Sequence, residues 1–418
     1  MNYDVIIAGA GPAGSMASYY LSSLGYKVLL LEKEKLPRYK TCGGCLSSRI
    51  KNLFPFSIEN CLDGVVSKVT FSYSGNDRID YKSECPLVYM VMRDKFDAFL
   101  TEKSVIAGTE LRVGEKVEAV IEFNNEIEIH TGRNKYKGKF LIGADGVKSK
   151  VAALAGLNRK KLLGAGCVTE CLVYSNTGGP GDGGSFRYDG ENRDDRGALI
   201  SFGVVPSGYG WAFPKKDHWT LGVAGYKGNL KNIKEIYRRF VKTENFNLKE
   251  LKRRGNLVPA FNNRSDIATD RIFLVGDAAS LVDPFLGEGI IYAVKSAEIA
   301  ARLIDKKMKN RAANLKQGYI SAVKREIFSE LQSARKIAAY FYLFQRIAYK
   351  KIKGNPVFLK IFFNMLTGAG TYRNFLNIIR KRVKFPVPES VFQFYFYSLQ
   401  LGLSTRSPTI FSSRSDKV

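Results

Sequence analysis

The sequence predicts an α/β protein in three parts: a parallel sheet flanked by helices, an antiparallel-sheet domain, and a basic helical C-terminal region. Three observations carry this. A β-branched and apolar run, Tyr3–Ala8, flows straight into Gly9-Ala10-Gly11-Pro12-Ala13-Gly14 and a helical segment, the opening of a βαβ unit. Two stretches, about 56–90 and 155–265, alternate apolar and polar residues between glycine-rich turns such as Gly178–Gly184. Beyond about residue 304 the pattern is helical, basic and aromatic.

In chain order, Ser15–Leu24 reads as a helix ended by Gly25, and Lys27–Leu31 as a second strand closing on Glu32. Arg93–Ala107 reads as a helix and Glu110–Val117 as extended chain. Phe140–Ile142 is a strand entering Gly143-Ala144-Asp145-Gly146. Arg271–Val275 is another, entering Gly276-Asp277 ahead of a helix from about Gly289 to Leu303. These strands are expected in one sheet, so the first domain is discontinuous: 1–55, 91–152 and 266–303. Residues 56–90 and 153–265 form the antiparallel domain, 304–403 the helical region, and 404–418 a disordered tail.

Composition narrows the class. Of 418 residues, 65 are Lys or Arg and 39 Asp or Glu, giving +26; 27 Phe, 22 Tyr and 45% hydrophobic residues exclude a disordered chain. Residues 301–418 hold 23 Lys and Arg against 5 acidic residues, so +18 of the charge sits there, and Leu331–Pro388 contains no acidic residue. Such a field attracts nucleic acid or an anionic membrane. No run reaches the roughly 18–20 apolar residues of a bilayer span, and the N-terminus lacks a signal peptide's basic segment. A cytoplasmic protein, peripheral on a membrane, is therefore expected. Six cysteines are too sparse for a disulfide scaffold, and no metal site is expected.

The glycines have separate tasks: Gly9 makes the tight turn, Gly11 admits a pyrophosphate, and Gly14 allows close helix–strand packing. The helix N-terminus favours the phosphates' negative charge. Glu32 is placed for ribose hydroxyls and disfavours a 2′-phosphate, which leaves FAD or NAD as the tightly held nucleotide. The run Arg271–Asp277, followed by Pro284-Phe-Leu-Gly287-Glu288-Gly289 and a helix, resembles FAD proteins of the glutathione-reductase type. In those proteins the aspartate binds the ribityl chain and the helix N-terminus faces the isoalloxazine. Gly143-Ala144-Asp145-Gly146 matches the same group, and FAD is the expected cofactor.

Further motifs narrow the resemblance. Pro37-Arg38-Tyr39-Lys40-Thr41-Cys42-Gly43-Gly44 resembles the Lys-x-Cys-Gly-Gly segment of geranylgeranyl reductases, relatives of the class A flavin monooxygenases. Arg93-Asp-Lys-Phe-Asp97 resembles their Arg-x-x-Phe-Asp helix, and Tyr209-Gly-Trp211-Ala-Phe213-Pro214 their Tyr-x-Trp-x-Phe-Pro cavity motif. The match runs in consistent order from residue 3 to about 300. It implies FAD contacts at Ala13, Glu32, Cys42, Gly43, Cys45, Arg93, Val117, Asp277, Gly289 and Ile290, alongside the glycine loops. The sequence departs from the family at Cys45, where a small residue is usual.

The activity so implied is reduction of C=C bonds in a prenyl chain, by hydride from reduced flavin and a proton on the other carbon. Tyr209, Trp211 and Phe213 alternate on one face of an extended segment, as an aromatic cavity wall would. The proton donor is not evident: His130 and His218 read as surface residues, and Cys42 is the candidate for tuning the flavin or relaying a proton. With no second complete glycine fingerprint, reductant must come from transient NADPH or from an electron carrier such as ferredoxin. Lys336–Lys353 and Phe358–Lys384 read as amphipathic helices with basic rims that dock on anionic membrane, where a prenyl substrate resides; no nucleic-acid module accompanies the charge. Oligomeric state is not legible. Three alternatives stay open: a monooxygenase or halogenase of the same fold, a Cys42/Cys45 thiol–disulfide enzyme, and a non-catalytic membrane flavoprotein. An iron–sulfur quinone reductase is disfavoured, since every cysteine precedes residue 172.

Overall fold

The computed structural model describes residues 2–174, 196–226, 232–310, 314–382 and Tyr395. The Gly178–Gly184 turn and the 404–418 tail lie outside these residues.

The first sheet has seven strands. Its parallel part runs Glu110–Val113, Val28–Glu32, Asn2–Ala8, Lys135–Gly143 and Ile272–Leu274, so segments far apart in sequence lie side by side. The central strands are nearly continuous apolar runs because helices cover them: Ile6, Leu29, Leu30, Leu141, Ile142 and Phe273 are fully buried. Helices Pro12–Ser23 and Ile290–Met308 pack against each other and place Met16, Ala17, Ala297 and Ala300 in this core. The extended stretch expected at Glu110–Val117 is two strands, Glu110–Val113 and Val117–Glu122, separated by a turn at Gly114 (φ 74°).

Among the described residues the second sheet also has seven strands, in the order Asn247–Ala260, Leu162–Tyr174, Trp219–Tyr226, Gly208–Pro214, Ala198–Phe202, Lys68–Tyr73 and Asp77–Lys82. It departs from a purely antiparallel sheet at one junction, where Ala198–Phe202 pairs parallel with Lys68–Tyr73. Those strands come from different segments of the domain, so no hairpin dictates their direction. A small three-stranded sheet, Cys45–Ser47, Val88–Met90 and Gly64–Val66, bridges the two large ones.

The C-terminal helices Ser329–Leu343, Gln345–Lys353, Pro356–Thr367 and Tyr372–Arg382 lie against the second sheet. Their aromatic faces are turned inward: Phe362 meets Phe71 at 5.3 Å between ring centroids, and Phe363 stacks on Tyr81 at 3.7 Å. The apolar faces read from sequence as membrane-docking are thus largely used inside the protein. Among the described residues no helix is long and apolar enough to cross a membrane.

Candidate functional site

The glycine loop is shaped by sterics. Gly9 is left-handed (φ 102°), and a Cβ there would sit 2.6 Å from the Ala144 carbonyl oxygen; at Gly14 it would sit 1.8 Å from the Gly9 oxygen. Gly11 differs, for a Cβ there meets nothing nearer than Arg38 Nη2 at 3.9 Å. Its open face looks into a cavity of about 480 Å3 lined by Gly9, Gly11, Ala13 and Glu32. Gly14 does not line the cavity; its task is packing. Helix Pro12–Ser23 starts with Pro12 and has no side-chain cap, so its first-turn amides are left for a ligand. Glu32 is buried, accepting from the Ala10 and Glu34 amides at 2.9 and 3.1 Å. An anionic dinucleotide fits this cradle.

Behind it runs a chain of charges that sequence reading divided into separate motifs. Arg93 holds Asp97 bidentately at 2.8 and 2.9 Å, one turn along helix Arg93–Ile106. Asp97 also takes Arg38 Nη1 at 2.9 Å, and Arg38 Nη2 reaches Glu32 at 3.3 Å. Asp97 is wholly buried between two guanidiniums, which satisfies its charge. The residues of this network stand in the quoted motifs; their pairing requires the fold. Burial lowers the Arg93 guanidinium, but Asp97 and then the neighbouring Cys42 outweigh it and hold it firmly charged.

The Cys42–Cys45 loop and the aromatic strand Gly208–Pro214 face each other. Trp211 and Phe213 stack at 6.0 Å, and Tyr209 lies 5.9 Å from Trp211. A Cβ on Gly43 would meet Trp211 Nε1 at 3.0 Å and the Phe213 ring at 3.1 Å. The aromatic wall itself therefore requires that glycine. Burial pushes the Cys45 thiol up to about 12. That disfavours the thiolate a dithiol enzyme needs. Lys215, one residue beyond the wall and not singled out by sequence, is buried and donates into this loop.

The third wall comes from Gly276–Ile290. Burial raises the Asp277 carboxyl, while Lys40, Arg93 and Lys161 pull it back down. Gly287 (φ 72°) lets the chain pass the Tyr209 hydroxyl, which donates to the Leu286 carbonyl. Gly289 and Ile290 begin helix Ile290–Met308 at the cavity, again without a side-chain cap. Asp283 is buried at 1% exposure and accepts hydrogen bonds from the Tyr372 hydroxyl and the Phe285 amide. Burial and Glu288 push its carboxyl up to about 7.

Val117 also lines the cavity, as do Cys42, Gly43, Cys45, Arg93, Asp277, Gly287, Tyr209, Trp211 and Phe213. Every residue assigned from sequence to cofactor or substrate, except Gly14, thus borders one continuous space. The C-terminal helices add Tyr342, Phe362 and Leu366, which sequence reading did not assign to a site. Neither histidine lines the cavity. His130 pairs with Glu128 at 2.5 Å. His218, expected at the surface, is mostly covered, with 13% side-chain exposure, and its Nδ1 lies 2.7 Å from Asp217.

The FAD binding domain family matches residues 2–319. An uncharacterized protein of Methanosarcina barkeri is 32% identical over 343 residues, covering 81% of this chain and 84% of its own length. A digeranylgeranylglycerophospholipid reductase of Methanococcus vannielii is 30% identical over 366 residues, covering 84% and 86%. Among solved structures, a geranylgeranyl bacteriochlorophyll reductase-like protein of Thermoplasma acidophilum matches with a TM-score of 0.72 at 21% identity, covering 94% of this chain and 95% of its own. A flavin-dependent brominase matches at 0.69 and 19%, covering 91% and 99%. At those identities the two structures share the fold alone.

Proposed function

This chain belongs to the FAD-binding geranylgeranyl reductase family, and on that premise we propose that it reduces C=C bonds of a prenyl lipid at a membrane surface. The observation that carries the reading is the single cavity joining the glycine loop to the Tyr209–Trp211–Phe213 wall and onward to Phe285, Tyr342 and Phe362. One end suits an anionic dinucleotide and the other an apolar chain.

Bound FAD, once reduced, supplies hydride to an alkene carbon. The protein's own part is to bind, orient and exclude water. The uncapped amides at Ala13 and Ile290, the Glu32 carboxylate and Asp277 would hold the cofactor, with Arg93 and Val117 lining the cavity beside it. The aromatic wall shapes a dry slot and offers negative ring faces to positive charge developing on the chain. Cys42, which lines the cavity and whose thiol accepts from the Gly44 amide at 3.4 Å, is the proposed proton relay. Reducing equivalents arrive from a transient donor, NADPH or a ferredoxin-like carrier. Exposed cations on the outer side of the C-terminal helices, Lys350, Lys351, Lys360 and Arg380 among them, would hold the protein to anionic lipid.

The test is anaerobic incubation of dithionite-reduced holoenzyme with digeranylgeranyl lipid, followed by mass spectrometry. A gain of two hydrogens per reduced bond is expected. Strict dependence on oxygen would instead support the halogenase-like chemistry suggested by the brominase's shared fold.

A further inference from the structure

Lys215 follows the aromatic wall directly and, among the described lysines, is the buried one, at 1% exposure. Among the described residues no carboxylate lies within ion-pair distance of it. Its ammonium donates instead to three carbonyls: Gly43 at 2.9 Å, Gly44 at 2.8 Å and Val91 at 3.2 Å. Met90 Sδ lies 3.9 Å away. A buried ammonium with no counter-ion is costly, so hydrogen bonds alone make this a poor device for stability.

Its surroundings fit a more specific role. Gly44 is left-handed (φ 62°), and a Cβ there would lie 2.1 Å from the Val91 oxygen and 2.8 Å from Lys215 Nζ. Gly43 is pressed on the opposite side by Trp211 and Phe213. Lysine, loop and wall are thus fitted to one another, and the loop borders the cofactor cavity. Other titratable groups acting on the ammonium are Cys45, Cys42, Asp63 and Glu170, of which Asp63 already takes the Lys216 amide at 2.9 Å and lies 3.6 Å from Lys95.

We propose that Lys215 is a positioning residue that clamps the Cys42–Cys45 loop against the aromatic wall and keeps a buried positive charge against the loop that borders the flavin cavity, favouring a reduced flavin there. The inference rests on the FAD reading of the same site. Two-electron reduction places negative charge on the bound group unless protons follow, and a cation held nearby in low dielectric attracts that charge. Burial lowers the lysine to about 8. Below that pH the charge is in place before reduction. Above it, reduction raises the lysine's proton affinity, so one extra proton is taken up with the two electrons.

The experiment is equilibrium dye titration of the FAD-loaded protein across about pH 6–10, for wild type, Lys215→Met and Lys215→Arg. For wild type, the plot of midpoint potential against pH should steepen above about pH 8. Lys215→Met should have a more negative midpoint at pH 7 and no such steepening. Lys215→Arg should recover the midpoint while still lacking the steepening, since its charge does not titrate. A purely structural lysine would leave both the potential and its pH profile unmoved. Lys215→Met that keeps its FAD with the wild-type midpoint and profile overturns the proposal. Should Lys215→Met fail to fold, a wild-type profile without steepening overturns it equally. Wild type that takes up no FAD, read from its absorbance, would count against the flavin reading and not against the lysine.

Discussion

The glycine loop and the C-terminal helices carry equally strong patterns, yet only the first tells its purpose from sequence. At Gly14 the task is local, since a Cβ would strike the Gly9 oxygen, and at Gly9 the turn's own φ of 102° calls for glycine. In the helices the same kind of regularity, aromatic stripes with basic rims, identifies a face to be buried without naming what buries it. The fold gives the aromatic faces to the second sheet and the cavity, and leaves the cations outside. Periodicity reports amphipathicity; only tertiary contacts report the partner.

The contrast is broken most severely inside the loop itself. Gly14→Ala forces a carbon to 1.8 Å from the Gly9 oxygen, an overlap no rotamer relieves. Insoluble protein, or loss of the cooperative melt, is the expected outcome. Gly11→Ala, three residues away, meets only open cavity, so the FAD-free protein should melt as wild type does while FAD affinity falls. Melting curves with and without added FAD separate the two. Equal damage to both FAD-free proteins would mean that Gly11 serves packing and not a ligand.

A second test moves to the helices. Phe362 is buried on Phe71, Phe285 and Phe375, and Phe362→Ala should cost about 3–5 kcal/mol in denaturant unfolding. A helix face reserved for lipid would lose under about 1 kcal/mol in the absence of membrane.

What was legible follows the same division. The glycine loop, Glu32, the Asp277 turn and the alternation of Tyr209, Trp211 and Phe213 are short-range patterns, and the structure brings them all to one cavity. The Arg38–Asp97–Arg93 pairing, the Lys215 clamp and the Asp283–Tyr372 contact were not legible. Each joins residues that are ordinary in isolation, 59, 171 to 172 or 89 positions apart. Arg93–Asp97, spaced i,i+4 on a helix, is the exception that spacing could have revealed. The parallel junction between Ala198–Phe202 and Lys68–Tyr73 was hidden for the same reason, because no turn connects the two strands.

Asp283–Tyr372 is where the cavity wall of Gly276–Ile290 meets the C-terminal helices, and pH reads that joint. Burial and Glu288 push the Asp283 carboxyl from the ordinary 3.8 up to about 7, so between these values the folded protein keeps a proton that the unfolded chain releases. Stability contributed at this site therefore falls as pH rises from about 4 to 7 and then levels off. Asp283→Asn keeps acceptors for the Phe285 amide and a partner for Tyr372 but cannot ionise. It should gain on the order of 4 kcal/mol relative to wild type at pH 8, compared with pH 4. Identical pH dependence in the two proteins would remove Asp283 as the titrating group.

The smallest effect on stability is expected on the outer face of the helices, and it decides what the charge is for. Lys350, Lys351 and Lys360 are exposed, and changing all three to Glu lowers the net charge from +26 to +20. Surface changes of this kind shift stability by about 0.5 kcal/mol or less, so the melt should hardly move. Binding to anionic vesicles should respond quite differently, because each cation near such a surface contributes about 1 kcal/mol, and removing three predicts roughly a hundredfold weaker partitioning at low salt. Salt should weaken wild type more steeply than the variant, since fewer counterions remain to be exchanged. If partitioning is unchanged while the melt is too, the rim only solvates the helices, and the cavity's access to a lipid substrate must be sought on another face.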